Sequence, residues 1–290
     1  MSRINSRRGD QLPVPNDQQF LRDLRWVVAS PSLIEGAAAM PCSLDDVDLD
    51  HLASFVKAAP NFRVGRYFER LVLYYLRFVR NAVDVQDGCQ VREGNRTIGE
   101  IDFMFTDEVH QRTHWEAAVK FYLHLPGENA IGSHYIGPNA ADTFERKMDR
   151  IFGQQLPLSR VHFPDVTVRE PLIRGRIFYH PLLGGPAKLP DRLAADHLRS
   201  AWMRASELDR LLKSGTSHQY RVLVKPYWLA EESGDGCSPT LTRSGLIEQL
   251  NRHFFDSDQP VLICQLRNAD SGLMEESERV FVVSDRWPSQ

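Results

Sequence analysis

Between positions 61 and 80 the apolar residues Val64, Phe68, Leu71, Val72, Tyr75 and Val79 recur at three- and four-residue spacing. That spacing predicts one long amphipathic helix. Asn61 stands where a cap is needed, and arginines 63, 66, 70, 77 and 80 surround the rest. Glu69 lies on a stripe with Gly65, Val72 and Leu76, at the edge of the apolar face. The period then switches from helical to two. TIGEIDFMF (97–105) and THWEAAVKFYLHL (113–125) read as strands joined by the short polar loop TDEVHQR, after a weaker strand over 82–91 and a turn at EGN, 93–95.

Downstream, a Gly/Pro/Asn-rich loop leads into ADTFERKMDRIFGQQL, a helix capped by Asn139 or Asp142, and then into the strand GRIFYHPLL, 175–183. Helix, three strands, helix, strand is the order of a mixed α/β sheet flanked by helices. Gly184, Gly185, Pro186 and Pro190 mark a linker, residues 191–214 read as a helix, and the remainder alternates strand, helix, strand, strand. The expected organisation is a flexible N-terminal arm over 1–19, a core over 20–185 with short helices at its start, and a C-terminal α+β subdomain or extension over 190–290.

Composition changes this picture little. With 42% hydrophobic and 25% charged residues, the 290-residue chain is built like a globular protein, not a disordered one. Its net charge of -3 excludes a surface that is basic throughout, so contact with nucleic acid would need a local patch. The four cysteines, Cys42, Cys89, Cys237 and Cys264, have no zinc-ribbon spacing and read as free thiols of a reducing compartment. The N-terminus lacks a signal-peptide apolar core, and no run approaches the ~20 apolar residues that span a bilayer. The expectation is a cytoplasmic protein with no membrane contact.

The chemistry concentrates in the two central strands. Side chains alternate faces along a strand. Ile101, Phe103 and Phe105 therefore form one apolar face, and Trp115, Ala117, Val119 and Phe121 another. The opposite faces carry Glu100 and Asp102 on one strand, and Glu116 and Lys120 on the next. Pairing across the 106–112 loop brings Asp102 near Glu116. Carboxylates in such a position are costly unless they are exposed, paired or holding a cation. Two acids and a lysine suit Mg²⁺, with Mn²⁺ an alternative, and hydrolysis of a phosphodiester. In that reading Asp102 and Glu116 hold the ion, Glu69 holds a second ion or its water shell, and Lys120 orients water or offsets developing charge. The competing reading makes these ordinary surface ion pairs, worth ~0–1 kcal/mol each.

TIGEIDFMF, HWEAAVKFYLHLP and YIGPNAADTFERKMDRIFGQQLPLS resemble the DUF1853 family, a bacterial family of unknown function. Glu69 on a helix, Asp102 on a hairpin and Lys120 on the next strand resemble the PD-(D/E)XK nuclease superfamily. That second resemblance implies a restriction-endonuclease-like fold and a metal-dependent nuclease. It departs from the superfamily pattern at Ala118, where an acid two residues before the lysine belongs, and Glu116 stands four before it instead. The departure keeps a second reading open, a non-catalytic nucleic-acid-binding or protein-interaction module on a degenerate nuclease fold. Arg66, Arg146 and Arg150, with Arg63 and Arg70, are candidate phosphate-binding residues for DNA or RNA, or else members of solvated helix faces. Tyr227 and Trp228 beside Lys225 suit either base stacking or packing in a core.

Overall fold

A computed structural model describes residues 17–40, 43–60, 63–129, 131–213, 218–234, 239–269 and 273–288. Residues 1–16 of the expected arm, Asn61, Cys42 and Cys237 lie outside these. Cys89 and Cys264 are free thiols.

Helices α1 (Asp17–Ala29), α2 (Leu49–Lys57) and α3 (Val64–Tyr74) come first, and α3 continues into a π turn over Tyr75–Val79. They cover one face of the sheet. Phe68, Leu71, Val72 and Tyr75 pack against Phe103, Phe105, Trp115, Ala117 and Val119, so the predicted apolar faces of helix and strands meet in one core. Strands β1 (Val83–Glu93), β2 (Arg96–Thr106) and β3 (Arg112–His124) form an antiparallel meander. After β4 (Tyr135–Ile136), the segments α4 (Phe144–Arg150), a π turn (Ile151–Gln155) and α5 (Leu156–His162) run in succession. Through Phe144, Met148 and Ile151 they cover the other face, against Ala118 and Tyr122 of β3. Thr143, one residue past the expected Asp142, caps α4 by accepting the Arg146 amide at 3.3 Å.

The chain then returns in β5 (Val168–Tyr179), parallel to β3 along its whole length. Parallel strands with both faces covered read as continuous buried runs, and β5 is buried from Pro171 to Phe178. Gly175 sits opposite Lys120 with φ +154°, and a Cβ there would lie 1.9 Å from the Lys120 carbonyl oxygen. Only glycine permits the two strands to approach so closely.

Residues 191–214 are not one helix. They contain β6 (Leu198–Arg204), a 3₁₀ turn (Ala205–Glu207) and the short α6 (Leu208–Leu211). β6 lies inside the sheet between parallel β5 and β10, and Ala201, Trp202 and Met203 are buried in succession, because one core cluster packs on Trp202 and another on Ala201 and Met203. The chain ends with β7 (Gln219–Val222), β8 (Ser233–Gly234), α7 (Arg243–Asp256), β9 (Val261–Asn268) and β10 (Met274–Val283). Among the described residues one ten-stranded sheet results, ordered β1-β2-β3-β5-β6-β10-β9-β7, with β4 on β3 and β8 on β10. Among the described residues, no helix is long and apolar enough to cross a membrane.

Candidate functional site

β2 and β3 do not pair along their full length. Their register runs from Thr106↔Arg112 to Phe103↔Trp115 and stops there, although β3 continues beside β5 to His124. The next pair would be Asp102 and Glu116. At this fork side chains replace the ladder. Asp102 Oδ2 accepts the backbone N–H of Ala117 at 2.9 Å, and the Asp102 amide serves the Glu116 carboxylate. Side chain also meets side chain, so the two carboxyl groups form a pair.

Glu116 is 1% exposed, because α4 and α5 cover the strand face that carries it. His114 Nε2 lies 2.8 Å from Glu116 Oε1, and Gln155 Nε2 donates to Glu116 Oε2. His114 Nδ1 lies 2.8 Å from Ser159 Oγ, which also accepts Arg169 Nε at 2.9 Å. Burial drives each carboxyl up to about 7. The charge of Glu116 raises Asp102 further, so near pH 7 the pair retains a proton. Burial pushes His114 down to about 4, leaving it a neutral ring near pH 7.

The lysine facing this pair comes from α4. Lys147 feels the charge of both Asp102 and Glu116, and its amine donates to Gln155 Oε1 at 3.2 Å. Gln155 thus bridges Lys147 to Glu116. Desolvation and the nearby Lys120 lower the Lys147 amine below its ordinary range. The widened π turn at 151–155 ends on Gln155, and such turns recur at functional sites.

The other expected residues are arranged differently. Lys120 donates to Asp142 Oδ2 at 2.7 Å, away from the carboxyl pair. Glu69 accepts Arg66 at 2.6 Å, and Arg66 also reaches Glu100 at 3.6 Å. Glu69 is raised by burial, and the negative charge of Asp102 adds to this. Arg146 is exposed, while Arg150, also exposed, lies close enough to lower the Glu116 carboxyl. Among the described residues, no three His, Cys, Asp or Glu side chains converge on one point. The donor set at the fork is therefore two hard oxygen ligands in contact. That fits Mg²⁺, which takes one or two carboxylates and completes its octahedron with water and substrate phosphate.

The spacing of Asp102 and Glu116 could be read from strand alternation. Lys147, Gln155, His114 and Ser159 match no motif spacing in the sequence. Lys147 and Gln155 share one signal, the stripe Lys147–Ile151–Gln155, four residues apart, which turns toward the sheet with the buried Ile151.

Fold and site together define a mixed α/β protein with a buried carboxyl pair at a strand fork. Over residues 22–283 the chain matches the family described as Domain of unknown function (DUF1853), and it belongs to that family. No curated protein and no solved structure matches it.

Proposed function

We propose that the chain is a cytoplasmic, metal-dependent phosphodiesterase acting on DNA or RNA, with its centre at Asp102, Glu116 and Lys147. The observation that carries this reading is the carboxyl pair: two acids in contact, both raised to about 7, beside a half-buried lysine. Buried like charges of this kind are costly, and they recur where a proton or a cation is part of the work. The order of elements supports the same reading, since helix α3, the β1–β3 meander, α4–α5 and parallel β5 follow the restriction-endonuclease-like arrangement. In this account Glu116 is the acid of the strand motif. Ala118 then stands where the motif lysine belongs, and Lys147 supplies an ammonium from the covering helix.

Mg²⁺ or Mn²⁺, when bound, would act as a Lewis acid and lower the pKa of a bound water. Asp102 and Glu116 would hold it. Gln155 and His114 fix the Glu116 carboxylate, and the Ala117 amide fixes that of Asp102. Lys147 offsets negative charge that develops on a phosphoryl oxygen. Glu69 keeps Arg66 at the edge of the site, where it can meet a neighbouring phosphate.

The test is cleavage of single- and double-stranded DNA and RNA with Mg²⁺ or Mn²⁺. Asp102→Asn and Lys147→Met should each reduce cleavage by roughly 10²–10⁴-fold. Equal activity in wild type and both variants would overturn the assignment.

One observation favours a second reading, a non-catalytic nucleic-acid-binding or protein-interaction module. Lys120 is held by Asp142, and Arg66 by Glu69 and Glu100. A chain that binds nucleic acid or a protein but cleaves nothing with either metal would fit that reading.

A further inference from the structure

Arg22, Arg25, Trp26 and Ala29 follow one another on α1 at helical spacing, so they share a stripe. Trp26 turns into the core beneath α1–α3, and Leu198 at the start of β6 packs on that same core. Beside this stripe opens a hollow of about 460 Å³, bounded also by Ser30, Pro31, Leu198 and the segment Ala230–Glu231. It lies on the opposite face of the sheet from Glu116, apart from the carboxyl pair. Its lining is mostly apolar, as ligand pockets are. Three of its polar groups, Arg22 Nε, Trp26 Nε1 and Ser30 Oγ, are shielded from water and meet no partner. Trp26 is 6% exposed. Arg22 otherwise donates to the neutral Gln19 Oε1, and Arg25 is exposed. Among the described residues, neither arginine lies within ion-pair distance of a carboxylate. Glu231, the carboxylate in the lining, is held by Arg176 at 2.5 Å.

We propose that this hollow binds a small organic acid, a single carboxylate carried on an apolar body. Shielded donors without acceptors are costly, and three gathered at one hollow call for a ligand rich in acceptors. Ser30 and Arg22 are half-buried, and rotation about their own side-chain bonds presents their donors to such a ligand. The two arginines set the sign of its charge. A carboxylate offers about four lone-pair sites and accepts a guanidinium fork in its own plane. Arg25, Arg22, Trp26 and Ser30 supply donors in that number. A phosphate group has more oxygens to satisfy, and the rest of the wall cannot serve them. Ala29, Pro31, Leu198 and Ala230 instead face an apolar body.

The test is isothermal titration calorimetry on the full chain. Naphthoate and octanoate, an aromatic and an acyl carboxylate, are compared with their uncharged amides, with naphthyl phosphate and with inorganic phosphate. At least one carboxylate should bind with a Kd of about 1 mM or tighter, ordinary for a ligand of this size. It should bind about tenfold tighter than its amide, the effect of a charge-assisted contact. Arg25→Gln, at an exposed position, should erase that advantage while amide binding and circular dichroism stay unchanged. In heteronuclear NMR spectra, the indole N–H signal missing from Trp26→Phe should shift when the carboxylate binds wild type. Asp102→Asn should bind as wild type does, because the carboxyl pair lies on the other face. Neither carboxylate binding below about 10 mM, equal binding of acid and amide, or an undiminished advantage in Arg25→Gln overturns the proposal. A Trp26 signal that stays in place overturns it too. Tighter binding of naphthyl phosphate or of inorganic phosphate assigns the hollow to a phosphate and overturns it as well.

Discussion

Asp102 Oδ2 accepts the amide of Ala117 at 2.9 Å, across the point where β2 and β3 stop pairing. One carboxylate thus ends a ladder and faces a second carboxylate at the same step. A strand that parts from its neighbour must satisfy the backbone groups it frees, and here an acid does so while remaining beside Glu116. The arrangement costs stability when both groups are ionised, and it is this cost that a proton or a cation relieves.

That cost has a sign that can be measured. Folding raises Asp102 from its ordinary 3.8 to about 7, so between these values the folded chain binds more protons than the unfolded one. The contribution of this group is present in full below its ordinary value and is lost as pH rises through about 7. Glu116, raised from 4.5 to about 7, acts in the same direction, whereas His114, lowered to about 4, adds stability as pH rises through its ordinary 6.5. Asp102→Asn removes the first of these. Its melting temperature, relative to wild type, should improve by a few degrees between pH 5 and pH 8. A difference that does not change with pH would show that Asp102 is not shifted.

Lys147 and Arg146 are neighbours in sequence with different roles. Lys147 lies by Asp102, Glu116 and Gln155, while Arg146 is exposed. Lys147→Met should reduce phosphodiester cleavage by about 10²-fold or more, as the loss of one preorganised charge does. Arg146→Ala should leave turnover within a few-fold and lower affinity for nucleic acid only in low salt. Comparable loss of turnover in both variants would mean a general electrostatic effect.

Gln155 joins Lys147 to Glu116. Gln155→Leu keeps its bulk and leaves Glu116 Oε2 without its donor, beneath the covering helix. A buried acceptor left unpaired costs about 1–3 kcal/mol, to be read by urea denaturation. The deficit should shrink at pH 5, where the carboxyl pair is fully protonated. An equal deficit at both pH values would trace the loss to packing.

Gly175→Ala tests the close approach of β5 to β3. The new Cβ would fall 1.9 Å from the Lys120 carbonyl oxygen, at a φ of +154°. Backbone must move, and roughly 2–4 kcal/mol of stability should be lost from strain and steric conflict together. A variant as stable as wild type would contradict the register of these two strands.

How far the sequence reached follows from these same residues. Alternation with period two placed Asp102 and Glu116 on one side of adjacent strands, and the Phe103↔Trp115 register makes them the next facing pair. Alternation cannot say that the strands part there, nor that a helix covers the polar face. That cover buries Glu116 and brings in Lys147. Lys120, two side chains along the same face from Glu116, belongs to the next stretch of strand and meets Asp142. β6 shows a different limit. LRSAWMR buries three consecutive residues because a core cluster packs on each of its faces, one on Trp202 and the other on Ala201 and Met203, and a run buried on both faces carries neither period.

The most direct measurement is metal binding itself. Mn²⁺ titrated into the protein near pH 7, followed by electron paramagnetic resonance, should show one tightly bound ion in wild type and none in Asp102→Asn or Glu116→Gln. Calorimetry in buffers of different ionisation enthalpy should report release of about one proton per ion, since the cation replaces the proton shared by the pair. Binding that is absent in wild type, or unchanged in both variants, would contradict a metal centre at the fork of β2 and β3.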